Sequence, residues 1–392
     1  MTQRGVFIDE AILDISYVPD VVLHREAELR ALEGLFDHMV AAPYEISQKA
    51  VVLGGVGSGK TLLAHYYGRS LRRKAERYRV TYEYIHVNCR EQRGSLFMIL
   101  SQVVKRLRPE FPERGYAANE LMDILRKIME ENNTQILLTL DEVDVLIENE
   151  GSDALYYLTR FHETEPDMPR RLNIIFISKN PEVFRKLDQS TLSSLQRNVI
   201  RMRDYDQTQL ADILLYRVEK AFRKDAVPPE IVDFISELAF NEKSDARYAI
   251  DVLHGAGKAA ERSAAMYIQP EHVRAAAMGV FQTLNKESVR QLSPHEKLVL
   301  LAVARFFKAN DVTHGTTGEI EEAYRLVCEE YMEEPRGHTQ YWKYLKNLKS
   351  LDFVNVRLQA SSQGRTQLIS LEKIPAEELE KEVARIIDAS EG

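Results

Sequence analysis

The chain has 392 residues, 29% charged and 44% hydrophobic, with a formal net charge of −8 and two cysteines. That length holds two or three domains. No apolar run approaches the roughly 20 residues of a membrane span, and Met1–Glu10 lacks a signal peptide's apolar core. Cys89 and Cys328 form neither a metal pattern nor a disulfide framework, so both are expected to be buried small hydrophobes. The expectation is a cytoplasmic protein with no membrane partner, in which any nucleic-acid face is local rather than global.

The chain opens through Tyr17-Val18-Pro19 and His24-Arg25-Glu26, and a helical pattern runs from Glu26 to about Met39. Val51–Leu53 reads as a buried strand. It is followed by Gly54-Gly55-Val56-Gly57-Ser58-Gly59-Lys60-Thr61, and Leu62, Leu63 and Ala64 begin a helix. This is G-x-x-x-x-G-K-[ST] in a strand-loop-helix setting. Backbone N–H groups of such a loop, with the next helix N-terminus, cradle phosphate oxygens. Lys60 can reach the β and γ phosphates, and the Thr61 hydroxyl can ligate Mg²⁺. Gly54 through Leu62 are therefore candidates for holding ATP or ADP.

Arg69–Arg79 is a basic helix end, and Tyr82–Val87 alternates like a second strand, closing at Asn88-Cys89. Two helical segments, about 94–107 and 119–132, are joined by Pro109–Gly115. Ile136–Leu140 is a third strand that ends in Asp141-Glu142, about 80 residues after the glycine loop. There Asp141 can hold Mg²⁺ and Glu142 can polarise an attacking water. Asp144 reads as a helix N-terminal charge. A fourth strand, Asn173–Ile177, leads into Ser178-Lys179-Asn180, where Asn180 or Lys179 can sense the γ phosphate. Strands alternating with helices predict a parallel α/β sheet with its ligand at the strands' carboxyl ends.

After about Arg203 the strands stop. Helices are predicted at Gln209–Phe222, Pro229–Leu238, Ala246–Ser263 and Pro270–Leu284, then a polar linker, Asn285–Gln291. Arg247, near a helix start, can swing onto phosphates or simply be solvated. From Ser293 the order is helix, helix (Gly318–Tyr331), helix (His338–Leu351) and an alternating hairpin (353–371), the order of a winged helix. Between Pro335 and Leu371 six basic residues face one acid, a local surplus of +5, so the remainder carries −13. Tyr341, Leu345 and Leu348 form an apolar stripe; Gln340, Lys343, Asn347 and Ser350 lie toward the other side. Gln and Asn can read adenine, and Lys can take guanine or phosphate. The hairpin tip can put Arg365 in a minor groove. An amphipathic helix with a solvated basic face gives the same pattern. Trp342 reads as a packing anchor, and the acidic tail Glu372–Gly392 as a solvated terminal helix.

In this order the motifs make the chain similar to the archaeal AAA+ replication initiators, related to the largest origin-recognition-complex subunit and to the cell-division helicase-loading factor. The resemblance covers nearly the whole chain. It rests on the opening motifs, the P-loop, Val87-Asn88-Cys89-Arg90, Asp141-Glu142, Asp245 to Leu253 with Ala256-Gly257, His295 to Ala302, Thr317-Gly318-Glu319 and Gly364-Arg365-Thr366. It implies an α/β P-loop AAA+ base over 1–205, an all-α lid over 206–288 and a C-terminal winged-helix domain over 289–392. It also implies ATP/ADP with Mg²⁺, binding of double-stranded origin DNA, helicase loading, other initiator paralogues as partners on DNA, and nucleoid association.

Residue by residue, the resemblance makes Arg247 the second sensor and puts Tyr205 and Arg217 against the nucleotide. Val18–Arg25 would line the adenine pocket. The catalytic set becomes Lys60, Glu142, Asn180 and Arg247. An initiator-specific insertion would touch DNA near Phe111–Tyr116 through Arg114. Gln340, Lys343, Lys346, Asn347, Arg357, Arg365 and Thr366 would be the winged-helix contacts. Two departures stand out. Lys179 occupies an expected Asn, and Ser190 stands where an arginine finger is expected, with Arg185 and Arg197 as substitutes. A finger acts in trans and is worth roughly 10³ or more in rate, so its loss implies weak or partner-dependent ATP hydrolysis. The alternatives are an ADP-held origin-binding paralogue, or a signalling-type P-loop ATPase with a winged helix.

Overall fold

The computed structural model describes residues 5–112, 115–163, 168–280, 286–351, 353–361, 364–372 and 374–388, excepting the side chains of 279–280, 286–288, 358–361 and 364–366. The chain divides into two compact units, Val18–Tyr205 and Met1–Tyr17 with Asp206–Gly392.

The first unit is built on five strands: β1 (Lys49–Leu53), β2 (Tyr82–Asn88), β3 (Gln135–Asp141), β4 (Leu172–Ser178) and β5 (Val199–Arg201). All pair in parallel, in the order β2-β3-β4-β1-β5. β3 and β4 are buried at every position, which is why they read as unbroken apolar runs. The strand period of two sends alternate residues to opposite faces. Val51, Leu138, Leu140 and Phe176 join one core with the helices Leu96–Leu107 and Ala118–Glu131. Val52, Leu137, Ile175 and Ile177 join another with the helix Lys60–Tyr78. Leu53 is level with Ser178, and Asn88 with Asp141. The loops after β1, β3 and β4 therefore leave the sheet at one edge. β5, only three residues long, has no readable period and was not anticipated.

In the second unit the helices Gln207–Ala221, Pro229–Asn241, Ala246–Arg262 and Pro270–Val280 form the helical part. Residues 5–17, read from the sequence as part of the base, pack here instead. Phe7 lies 4.8 Å from the Phe222 ring, and the N–H of Ile8 donates to the Ala221 carbonyl at 2.7 Å. The expected linker is helical over Lys286–Gln291, because Val289 is fully buried and anchors it. The winged helix comprises Pro294–Ala309, β6 (His314–Thr316), Thr317–Glu330, His338–Ser350, β7 (Asn355–Ser361) and β8 (Gly364–Ser370). Its antiparallel sheet has the order β6-β8-β7. The acidic tail is not solvated all round: Ala376–Asp388 buries Leu379, Val383, Ile386 and Ile387 on one face. Cys89 and Cys328 are both free and buried.

Candidate functional site

The glycine loop joins β1 to the helix Lys60–Tyr78. Gly59 takes φ 88°, and a Cβ there would meet the Tyr205 hydroxyl at 2.8 Å. At Gly54 a Cβ would lie 2.9 Å from the Met202 carbonyl oxygen. Both positions exclude larger residues. Lys60 Nζ donates to the carbonyls of Gly54 (2.9 Å) and Gly55 (2.5 Å). The Ser58 hydroxyl also donates to the Gly55 carbonyl, at 2.9 Å.

At the end of β3, Asp141 is 6% exposed and meets three partners. Its Oδ2 accepts from Thr61 Oγ1 at 2.5 Å and lies 3.4 Å from His86 Nε2, while Oδ1 accepts from the Glu142 N–H at 2.8 Å. Burial alone would raise its pKa, but the hydrogen bonds from His86 and Thr61 outweigh this and hold it below the usual carboxylate range. A deprotonated carboxylate beside a hydroxyl is a hard-oxygen pair of the kind Mg²⁺ takes. Magnesium normally completes its octahedron with water and substrate phosphates. Behind it, the His65 ring lies 4.4 Å from His86, and burial pushes its pKa down to about 4.

Glu142 follows at φ 51°, and its Oε2 is held by Arg90 Nε at 3.0 Å. Asp144, expected as a helix-end charge, is instead buried, and its carboxylate accepts from the Ser178 hydroxyl. The Asn180 carbonyl oxygen of the side chain accepts from the Glu182 N–H at 3.0 Å, capping the turn Pro181–Lys186, while Lys179 is exposed. Arg25 is 4% exposed. Its guanidinium donates to the carbonyls of Ser58 (3.0 and 3.1 Å) and Arg203 (2.7 Å) and lies 3.9 Å over the Tyr205 ring. The first unit thus brings together Gly54 through Leu62, Arg25, Tyr205, Asp141 and Glu142. Ser190 receives a hydrogen bond from Arg160, and Arg185 pairs with Glu182.

Arg217 and Arg247 belong to the second unit. Arg217 is buried, bonds the Ile12 carbonyl and lies 4.7 Å over the Tyr17 ring. Arg247 is exposed at the start of its helix, with its N–H capped by Asp245 at 2.8 Å.

In the winged helix, Tyr341, Leu345 and Leu348 are fully buried, leaving Gln340, Lys343, Lys346 and Asn347 exposed. Lys346 lies 5.5 Å from the Trp342 ring, and Asn347 donates to Glu296 at 2.7 Å. Arg357 pairs with Glu237 of the helix Pro229–Asn241 at 2.9 Å, and His314 meets the same carboxylate oxygen at 2.9 Å. Arg365 and Thr366 stand at the turn end of β8, where Arg365 pairs with Ala360. Their side chains, and Arg114 entirely, lie outside the described residues. Sequence reasoning missed His86, Arg90 and Glu237. Alternation put His86 on a face of β2, but nothing local announces which partners meet across the fold.

Among the described residues no helix is long and apolar enough to cross a membrane. Three family models match in order: an AAA domain over residues 47–187, a Cdc6 AAA+ ATPase-type lid domain over 211–278, and a CDC6 C-terminal winged-helix domain over 287–382. The ORC1-type DNA replication protein 2 of Saccharolobus solfataricus is 31% identical over 92% of this chain and 88% of its own. The ORC1-type DNA replication protein of Thermococcus kodakarensis is 28% identical over 95% and 89%. The crystal structure of Cdc6p from Pyrobaculum aerophilum, 29% identical, superposes with a TM-score of 0.83 over 98% of this chain and 100% of that one. The Aeropyrum pernix ORC1 protein, solved in complex with DNA, is 28% identical with a TM-score of 0.65 over 100% and 98%. P-loop, acid pair, lid and winged helix all stand in one order along one chain, and the chain belongs to the archaeal Orc1/Cdc6 family of AAA+ replication initiators.

Proposed function

We propose that this protein is an ATP-dependent initiator that binds double-stranded origin DNA through its winged helix and helps to load the replicative helicase, with other initiator paralogues as partners on DNA. The observation that carries the nucleotide half is the convergence of Thr61, Asp141 and Glu142 beside the glycine loop. Relatives from Aeropyrum pernix solved with ADPNP and ADP, and with DNA, support both halves.

Thr61 and Asp141 would hold Mg²⁺, which supplies positive charge to the β and γ phosphate oxygens. Lys60 exchanges the Gly54 and Gly55 carbonyls for phosphate oxygens. Glu142, once released from Arg90, takes the proton of the attacking water. Arg25 braces the loop through the Ser58 carbonyl and, with Tyr205, walls the base end of the site. Arg247 serves as the lid's second sensor and Arg217 as a boundary residue that holds Tyr17. Asn180 is the candidate first sensor. Gln340, Lys343, Lys346 and Asn347 face the groove, with Arg365, Thr366 and Arg114 as further DNA contacts and Arg357 drawn off by its pairing with Glu237.

One observation favours an ADP-held, slow variant of this reading: the Arg90 pairing keeps Glu142 from the water, and Ser190 supplies no guanidinium of its own. ATP turnover measured with and without an origin-repeat duplex, for wild type and Glu142→Gln, decides between them. Turnover that disappears in Glu142→Gln supports the switch. Tight duplex binding with no wild-type turnover leaves the ADP-held binder.

A further inference from the structure

The helix Lys60–Tyr78 has a second half that the nucleotide site does not use. Arg69, Arg73 and Arg77 recur four residues apart and are all exposed, with Arg72 and Arg79 exposed beside them. At 3.6 residues per turn, Tyr66, Arg69, Ser70, Arg73 and Arg77 fall within a sector of about 100°. Glu76 is the one acid between Arg69 and Arg79.

Arg72 is answered by Glu83 at 3.0 Å, and Lys74 by Asp37 and Glu33 at 2.7 and 3.3 Å. Arg69, Arg73, Arg77 and Arg79 have no ion pair or side-chain hydrogen bond among the described residues. The helix dipole accounts for cations in the last turn, at Arg77 and Arg79, but its influence does not extend to Arg69 or Arg73. Like charges at i and i+4 repel, so the row weakens the helix it sits on. The chain is acidic overall, so carboxylates are plentiful elsewhere. Nothing in the packing of the fold accounts for this row.

We infer that this face is an additional contact for the phosphodiester backbone of duplex DNA, distinct from the winged helix and from Arg114; the inference rests on the DNA-binding reading above. Four residues of helix rise about 6 Å, so the three guanidiniums span about 12 Å. One strand offers a phosphate about every 3.4 Å along the duplex axis, so each arginine meets a different phosphate. Guanidinium geometry suits bidentate phosphate contact. The Tyr66 and Ser70 hydroxyls on the same sector are donors of the type that position a backbone. Contacts to phosphates carry no sequence information of their own, so this face adds affinity and no sequence preference.

The test uses the full chain as wild type, as the triple variant Arg69→Gln, Arg73→Gln, Arg77→Gln, and as Lys343→Ala. Affinity is measured across a salt series for an origin-repeat duplex, a random duplex and, as a polyanion that is not a nucleic acid, polyglutamate. Thermal melting and binding of a fluorescent ADP report that the fold is intact. The triple variant is expected to weaken both duplexes alike and to flatten the log K against log salt slope by about two to three, since each phosphate contact contributes about 0.9. Unchanged affinity and slope, with wild type binding normally, overturns the inference. So does loss of binding to polyglutamate with duplex binding retained. Wild type that binds neither duplex removes the DNA-binding reading beneath it as well. Should the triple variant melt early, Arg73→Gln alone carries the test, with an expected change in slope of about one.

Discussion

Glu142 and Arg90 show how the proposed general base and its restraint are set by two strand ends. Asn88 and Asp141 are level in neighbouring strands, so the residues just beyond them, Arg90 and Glu142, come within 3.0 Å. The pair is partly exposed, with side chains 61% and 31% accessible, so it is worth no more than about 1 kcal/mol. Arg90→Ala is therefore expected to raise basal ATP turnover by about two- to fivefold with KM unchanged, and Arg90→Lys to return it toward wild type. A lower turnover in Arg90→Ala would mean that Arg90 serves the reaction rather than restraining it. Thr61 and Asp141 are a different case. Their contact at 2.5 Å is partly buried and tied to His86, and the two motifs by themselves name both residues as Mg²⁺ ligands. His86 had no motif, because an imidazole on a half-buried strand is usually a packing residue until its neighbour across the fold is known.

At the scale of elements, the helix His338–Ser350 and the hairpin β7-β8 share the proposed DNA face unequally. Apolar periodicity placed Tyr341, Leu345 and Leu348 inside and so left Lys343 outside, and this was readable from spacing alone. Arg357 entered only as one of the six basic residues between Pro335 and Leu371, its DNA contact implied by the family resemblance. What spacing could not supply is Glu237, 120 residues earlier, which holds Arg357 at 2.9 Å while sharing its carboxylate with His314. A positive charge already matched by a buried carboxylate releases fewer counterions on DNA. Lys343→Ala is expected to weaken duplex binding and to reduce the salt slope by about one, and Arg357→Ala to leave the slope near its wild-type value. Equal losses from the two would show that DNA competes Glu237 away. The same limit explains the tail and the linker. The acidic tail Glu372–Gly392 read as a solvated helix and Asn285–Gln291 as a polar linker, whereas Val289, Leu379 and Val383 are fully buried.

For the molecule as a whole, two half-buried histidines shape its response to acid. Burial pushes His65 and His162 down to about 4, so both are neutral when folded at neutral pH. Unfolding returns them to about 6.5. Between those values the unfolded chain binds more protons, so stability rises with pH and falls as pH drops from about 6.5 toward 4. Each contributes at most about 3 kcal/mol. Melting temperature is expected to fall over that window, and His65→Phe to make the fall shallower. A His65→Phe profile parallel to wild type would remove His65 from the account.

The sequence by itself determined the strand-loop-helix of the glycine loop, the acid pair after β3, the change to helices alone after about Arg203, the winged-helix order from Ser293, and which side of the helix His338–Ser350 faces water. These follow from local conformational demands and from periodicity, both of which act between residues a few positions apart. Only the tertiary structure decided what each charged group meets: Lys60 on the loop's own carbonyls, Glu142 on Arg90, Arg25 on Ser58 and Tyr205, Arg217 on Ile12 and Tyr17, Arg357 on Glu237. The physical reason is range. A guanidinium or carboxylate is satisfied by whichever partner packing brings within about 3 Å, and no spacing along the chain encodes that distance.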